Sequence, residues 1–249
     1  MDEKFFIKNE FENYGLSLSD EMVERLLIYY HLLVNWNEKM NLTSVTDFED
    51  VVRKHFLDSA ALFLRPCDMK DGFSELCFHS ENVRLIDVGT GAGFPGLVLA
   101  ILRPDWEFVL VDSRNKRLDF ISEVVRSCSL SRVSVVHGRA EELGRDVDYR
   151  GQFDLCVARA VAELPSLLEL CVPFLSEDGI FVSYRGSGFL QNQEEKCSEN
   201  ALRELNARLA FVQSFEFSFG ARCLVGVERM GDLSDKYPRR PGIPTKRPL

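Results

Sequence analysis

Leu85-Ile86-Asp87-Val88-Gly89-Thr90-Gly91-Ala92-Gly93-Phe94-Pro95-Gly96 is the stretch that decides the fold. An apolar run ends in an acid, three glycines alternate, and an apolar segment of helix length begins. Glycine admits left-handed backbone and lets a ligand approach the main chain with no Cβ in the way. The stretch therefore reads as a buried strand turning sharply into a helix, the place where open α/β sheets bind ligands.

Beyond this turn, short β-rich runs alternate with helix-length segments, the layout of a parallel sheet with crossover helices. The pattern predicts strands at 83–88, 108–111, 133–136, 153–157 and 180–184, and helices near 95–102, 116–127, 164–174 and 194–209. Two further runs, 211–219 and 222–228, have no helix between them and predict a terminal antiparallel hairpin. Before the turn the chain reads as helical. Met22, Leu26, Tyr29, Leu33 and Trp36 recur at spacings of three and four, one apolar helix face. Thr46-Asp47-Phe48-Glu49 has the form of a capping box with Thr46 as the cap, opening a helix expected to reach Phe63 before Pro66 stops it. The expected organisation is a helical segment at 1–66, a connector at 67–82, a Rossmann-like α/β domain at 83–230 and a basic tail at 231–249. With Pro238, Pro241, Pro244 and Pro248, the tail is expected to be neither regular helix nor central strand and to lie extended over a surface.

Composition narrows the function classes. With 45% hydrophobic and 28% charged residues among 249, the chain is neither disordered nor fibrous. No apolar run is long enough for a bilayer. The N-terminus carries Asp2, Glu3 and Lys4 and is no signal peptide, so a cytoplasmic protein without membrane partners is expected. Seven cysteines with no C-x-x-C pair, and four histidines in no ligand spacing with them, predict reduced thiols and no metal. The net charge of −9 counts against a purely electrostatic nucleic-acid binder. Local basic spots partly offset it: Arg53-Lys54, Arg114–Arg117, and five basic residues without an acid from Lys236 to Leu249.

The glycine spacing alone fits both NAD and S-adenosylmethionine. Asp87 is awkward beside a pyrophosphate and suits the ammonium group of S-adenosylmethionine, and Pro95 removes an N–H that a pyrophosphate would use. The turn thus favours the methyl donor, with Gly89, Gly91 and Gly93 lining it. Asp112, at the end of the second strand, can accept both ribose hydroxyls of an adenosine, or simply cap the following helix. After the third strand, Ala140 and Glu141 are placed to read an adenine edge, although an acidic pair there is also an ordinary helix start. Arg159, after the fourth strand, stands at the carboxyl edge where ligands bind. Its replacement by alanine is expected to lower activity at least about tenfold with little change in melting temperature.

With these residues in place the chain resembles the bacterial ribosomal RNA small-subunit methyltransferase G family, also called glucose-inhibited division protein B. The markers span nearly the whole chain: Asn35-Trp36-Asn37 to Asn41-Leu42-Thr43, Arg53-Lys54-His55-Phe56-Leu57-Asp58-Ser59, the 87–96 turn, Asp112-Ser113 with Lys116-Arg117, Gly138–Glu141, Arg159-Ala160, and the closing Tyr237-Pro238-Arg239-Arg240 with Pro244–Leu249. The resemblance implies methyl transfer from S-adenosylmethionine to N7 of a guanine in small-subunit (16S) ribosomal RNA near the decoding site. It implies cofactor roles for Gly89, Phe94, Ala140, Glu141 and Arg159. Guanine N7 carries a lone pair and no proton, so no catalytic acid or base is expected and alignment carries the rate. Consistent with this, no [DNS]-P-P-[FYW] motif follows the fourth strand, and the only Pro-Cys pair, Pro66-Cys67, precedes the sheet.

RNA contacts are expected from Arg53, Lys54, His55, Lys116, Arg117, Lys246 and Arg247, in a protein taken to act as a monomer. For His55, pairing with Asp58 or a backbone group is the competing reading. Deleting 235–249 is expected to weaken RNA binding and spare the cofactor, unless the prolines pin the tail across the fold. Other readings are a methyltransferase of another RNA, a small molecule or a protein, a non-catalytic ribosome-binding module, and an NAD-dependent oxidoreductase. The last lacks any Tyr-x-x-x-Lys pair.

Overall fold

The computed structural model describes residues 2–64, 80–186, 188–191 and 194–249. Most of the expected connector, with Pro66, Cys67, Cys77 and His79, lies outside them.

Seven strands form one sheet: β1 Arg84–Val88, β2 Glu107–Asp112, β3 Val133–His137, β4 Phe153–Arg159, β5 Leu175–Gly186, β6 Ala207–Phe217 and β7 Gly220–Arg229. Their spatial order is β3-β2-β1-β4-β5-β7-β6. The first five run parallel, and β7 lies antiparallel between β5 and β6, as the missing crossover helix predicted. β1 pairs with both β2 and β4, so the chain winds outward from β1 in two directions and leaves a crevice at the carboxyl ends there. Both faces of the central strands are covered, hence their unbroken apolar runs. Leu85, Leu155 and Val157 face one core layer; Ile86, Val88, Cys156 and Ala158 face the other, against the helix Leu164–Cys171.

The N-terminal segment supplies much of the first layer. Ser19 caps the helix Asp20–Met40 by accepting from the Met22 N–H, and Val23, Leu26, Tyr29 and Leu33 are its buried face. Met22 and Trp36 only flank that face. Phe56, Leu57 and Ala60 share the same core as Leu85 and Leu110. Each buried leucine or phenylalanine side chain here stabilises the fold by about 1.5–3 kcal/mol. Here Asp47, not Thr46, is the cap: its Oδ1 accepts the Asp50 N–H at 3.2 Å, while the Thr46 carbonyl is taken by the Tyr30 hydroxyl. The following stretch is helical as expected but not uniform. An α-turn, Phe48–Val51, widens into a π-helical stretch, Val52–Leu57, and tightens into a 3-10 turn, Ala60–Phe63.

Two further expectations need correction. The helix expected at 194–209 is two short pieces, Glu194–Cys197 and Glu199–Glu204. Asn206 takes left-handed backbone (φ 50°), donates its N–H to the Arg203 carbonyl and turns the chain into β6. The tail contains one helical turn, Ile243–Lys246, which tolerates Pro244 because a first-turn residue needs no N–H donor. The remainder crosses the surface of the domain, held by side chains. Arg145 donates to the Pro238 carbonyl at 2.8 Å, and Arg150 to the Tyr237 carbonyl at 2.9 Å. No described helix is long and apolar enough to cross a membrane.

Candidate cofactor site

The turn after β1 is built by its own backbone. The N–H groups of Gly89 and Thr90 both donate to the Val111 carbonyl at 2.9 Å, and Gly89, Gly91 and Gly93 all have positive φ. At Gly89 (φ +73°) a Cβ would lie 2.8 Å from Val161 Cγ2. Below the turn Asp87 is wholly buried. Its Oδ2 accepts the Gly96 N–H at 2.9 Å, while Oδ1 has no hydrogen-bond partner among the described residues. Burial pushes this carboxyl up to about 6, opposed first by the neighbouring Thr90 side chain, then by the Gly96 N–H and the Arg159 guanidinium. A buried carboxylate is costly, and a cation held at the turn above it would favour its charged form through space.

Asp112, at the end of β2, is nearly as buried. Oδ2 accepts from Gly91 N–H (3.1 Å) and Arg117 Nη1 (3.2 Å), and Oδ1 from Arg114 N–H (2.9 Å). The carboxylate therefore serves turn and helix entry together. Between these strand ends lies a cavity of about 140 Å³, lined by Val88, Gly89, Asp112, Ala140, Glu141 and Thr245 among others. Its lining mixes apolar groups (Val88, Val111, Val161, Leu170) with the carboxylates of Asp112 and Glu141, the combination a small ligand with an apolar face and polar edges needs. A larger cavity, about 440 Å³ beside Glu177, Arg208 and Glu228, lies at the opposite edge of the sheet, away from all these groups.

Phe94 closes the other side of the turn. Its ring lies 4.6 Å from His55, 5.3 Å from Tyr29 and 5.0 Å from the Arg159 guanidinium carbon. The Tyr29 hydroxyl donates to the Ala92 carbonyl. Arg159, at the end of β4, pairs with Asp58 at 2.6 Å, and the other Asp58 oxygen receives Arg222 Nε of β7 at 3.1 Å. Asp58 thus ties the N-terminal segment to two strands, and Arg159 carries a structural load that the sequence did not reveal.

His55 does not pair with Asp58. One ring nitrogen meets Thr43 Oγ1 at 2.8 Å and the other the Lys54 carbonyl at 3.1 Å. Burial, with Arg159 nearby, pushes its pKa down to about 4. Since the unfolded chain titrates near the ordinary 6.5, it binds the proton between these values and the folded chain does not, so His55 removes stability as pH falls from 6.5 towards 4. The melting temperature of the wild type should fall more steeply over that window than that of His55→Gln. Parallel curves would mean that His55 is not held neutral.

The basic spots are largely occupied. Arg53 pairs with Glu10 and Glu49, and Lys54 with Asp50. Arg117 is on Asp112, while exposed Lys116 borders a groove with Trp36 and Lys39. In the tail, Lys236 pairs with Glu204 and Arg239 with the buried Glu169, whereas Arg240, Lys246 and Arg247 are exposed. Glu169 was legible in retrospect: the one charged residue within the largely apolar helix Leu164–Cys171 calls for a buried cation. Thr245 and Val161 gave no such signal.

A β-sheet of this order, with a glycine turn after β1, an acid at the end of β2 and a cavity between them, defines the S-adenosylmethionine-dependent methyltransferase class. A family model described as rRNA small subunit methyltransferase G matches residues 22–218. Ribosomal RNA small subunit methyltransferase G of Alkaliphilus metalliredigens (strain QYMF) is 38% identical over 255 residues, covering 100% of both chains. The protein of that name from Desulfitobacterium hafniense (strain Y51) is 42% identical over 238 residues, 94% of this chain and 92% of the relative. The solved structure of PH0793 from Pyrococcus horikoshii shares the fold at a TM-score of 0.50 and 10% identity, over 70% of this chain and 61% of that one. The chain belongs to the rRNA small subunit methyltransferase G family, enzymes that use S-adenosylmethionine to methylate small-subunit ribosomal RNA.

Proposed function

We propose that this chain methylates N7 of a guanine near the decoding site of small-subunit ribosomal RNA, and that the carboxyl edge around β1, β2 and β4 is where it does so. The cavity shared by Gly89, Asp112, Ala140 and Glu141 is the observation that carries the reading. Bound there, S-adenosylmethionine supplies a methyl group on a positively charged sulfur. Gly89, Ala140 and Glu141 would hold the nucleoside portion, and Asp112 the ribose. Arg117, whose side chain is 34% exposed, is the Asp112 partner able to give way to the ribose hydroxyls. Asp87, Gly91 and Gly93 would face the amino-acid end, where a cation would further favour the charged form of Asp87. Phe94 and Arg159, locked against each other, would close the site on the side of the N-terminal segment.

No proton has to move, because the N7 lone pair is already free. The residues orient, exclude water and present a rigid aromatic wall; the neutral His55 supports Phe94 from behind. Among the basic residues expected to meet RNA, exposed Lys116, Lys246 and Arg247 could take phosphate without exchanging a carboxylate partner. Arg53 and Lys54 would first exchange their carboxylate partners for phosphate. The proposal includes a single-chain enzyme working in the cytoplasm. Its test is methyl transfer from labelled S-adenosylmethionine to small ribosomal subunits, with 7-methylguanine as the product.

A further inference from the structure

The sheet and its loops do not supply the whole wall of the cofactor cavity. We propose that the C-terminal segment completes it, with Thr245 a cofactor-contacting residue that helps set affinity and selectivity for the nucleoside end. This rests on the reading of the cavity given above. Thr245 lines the same space as Gly89, Asp112 and Ala140.

The segment is fastened on both sides of that residue. The Gly242 N–H donates to Glu141 Oε1 at 2.7 Å, joining the tail to one of the residues that line the cavity. The Ser166 hydroxyl donates to the Pro244 carbonyl at 3.0 Å, a buried contact. Arg239 grips the wholly buried Glu169 carboxylate through its backbone N–H (2.7 Å), Nε (2.9 and 3.0 Å) and Nη2 (2.6 Å). Its Nη2 also donates to the Arg247 carbonyl at 2.7 Å. Thr245 is thus held between Gly242 and Pro244, fastened to Glu141 and Ser166, and Arg247, whose carbonyl is held by the Arg239 that grips Glu169. A residue so placed is part of a preformed wall, since little ordering remains to be done when a ligand arrives. This reverses the expectation that the tail can be removed without consequence for the cofactor.

Calorimetric titration of the full chain with S-adenosylmethionine tests the proposal. Thr245→Trp, which fills the cavity from its exposed side, should weaken binding at least about tenfold with the fold intact by circular dichroism. A chain ending at Pro241 should weaken it at least as much; if that truncation does not fold, Thr245→Trp decides. A folded Thr245→Trp protein, or a folded truncation, binding within about twofold of the wild type overturns the proposal. A wild-type chain that binds no S-adenosylmethionine overturns instead the reading of the cavity itself.

Discussion

Gly89→Val should lower the affinity for S-adenosylmethionine at least about 100-fold, roughly 2.7 kcal/mol. Two effects act together. At φ +73° a residue with a Cβ pays about 1–2 kcal/mol in the left-handed region, more for a branched one. The new Cβ also meets Val161 at 2.8 Å, at a position that lines the candidate cofactor cavity. Gly91→Ala separates the effects: its φ is +63°, but the nearest atom to its Cβ is the Gly89 carbonyl oxygen at 3.9 Å. It should share the strain without the collision and lose much less affinity. Calorimetry with a parallel melting curve checks both, and a folded Gly89→Val protein with affinity within a few-fold of the wild type would show that the ligand does not use this turn.

Arg159→Ala should reduce methylation at least about tenfold, roughly 1.4 kcal/mol of transition-state stabilisation. In contrast to the sequence expectation, it should also lower the melting temperature. Removing one partner of a buried ion pair costs about 3–5 kcal/mol; here Arg222 remains on Asp58 and softens the loss. Arg159→Lys distinguishes the two roles, keeping the charge beside Asp58 but not the planar fork over Phe94. Assayed where it is fully folded, it should still methylate several-fold more slowly than the wild type. Recovery of full activity in folded Arg159→Lys and Arg159→Ala proteins would make Arg159 a strut alone.

Much of this architecture was legible because its parallel strands are buried on both faces and read as short apolar runs between helix-length segments. The hairpin was legible from the absence of a helix between its two runs. That the glycines fall in the turn, with Asp112, Ala140 and Glu141 beside one cavity, was legible because turns and strand ends at this edge leave few residue types suitable. Where local and tertiary signals competed, sequence reading failed. The run at 194–209 reads as one helix, yet Asn206 turns left-handed and the chain joins an edge strand. Thr46 has the form of a cap, but Asp47 reaches the N–H first. Of the five basic tail residues, Lys236 and Arg239 face acids that lie far away in sequence, pairs that no local pattern reveals. Nor does any local pattern announce that Asp58 holds Arg159, or that Thr245 returns to the cavity.

The most direct test is the position and chemistry of the methyl group. Small ribosomal subunits from cells lacking this gene are incubated with the purified protein and S-adenosylmethionine. Their RNA is then reduced and treated with aniline, which cleaves at 7-methylguanine. The account predicts a single new scission, at a guanine near the decoding site, that depends on both protein and cofactor and is lost with Gly89→Val. A methyl group on another atom or another molecule, or no transfer to ribosomal RNA at all, would contradict it.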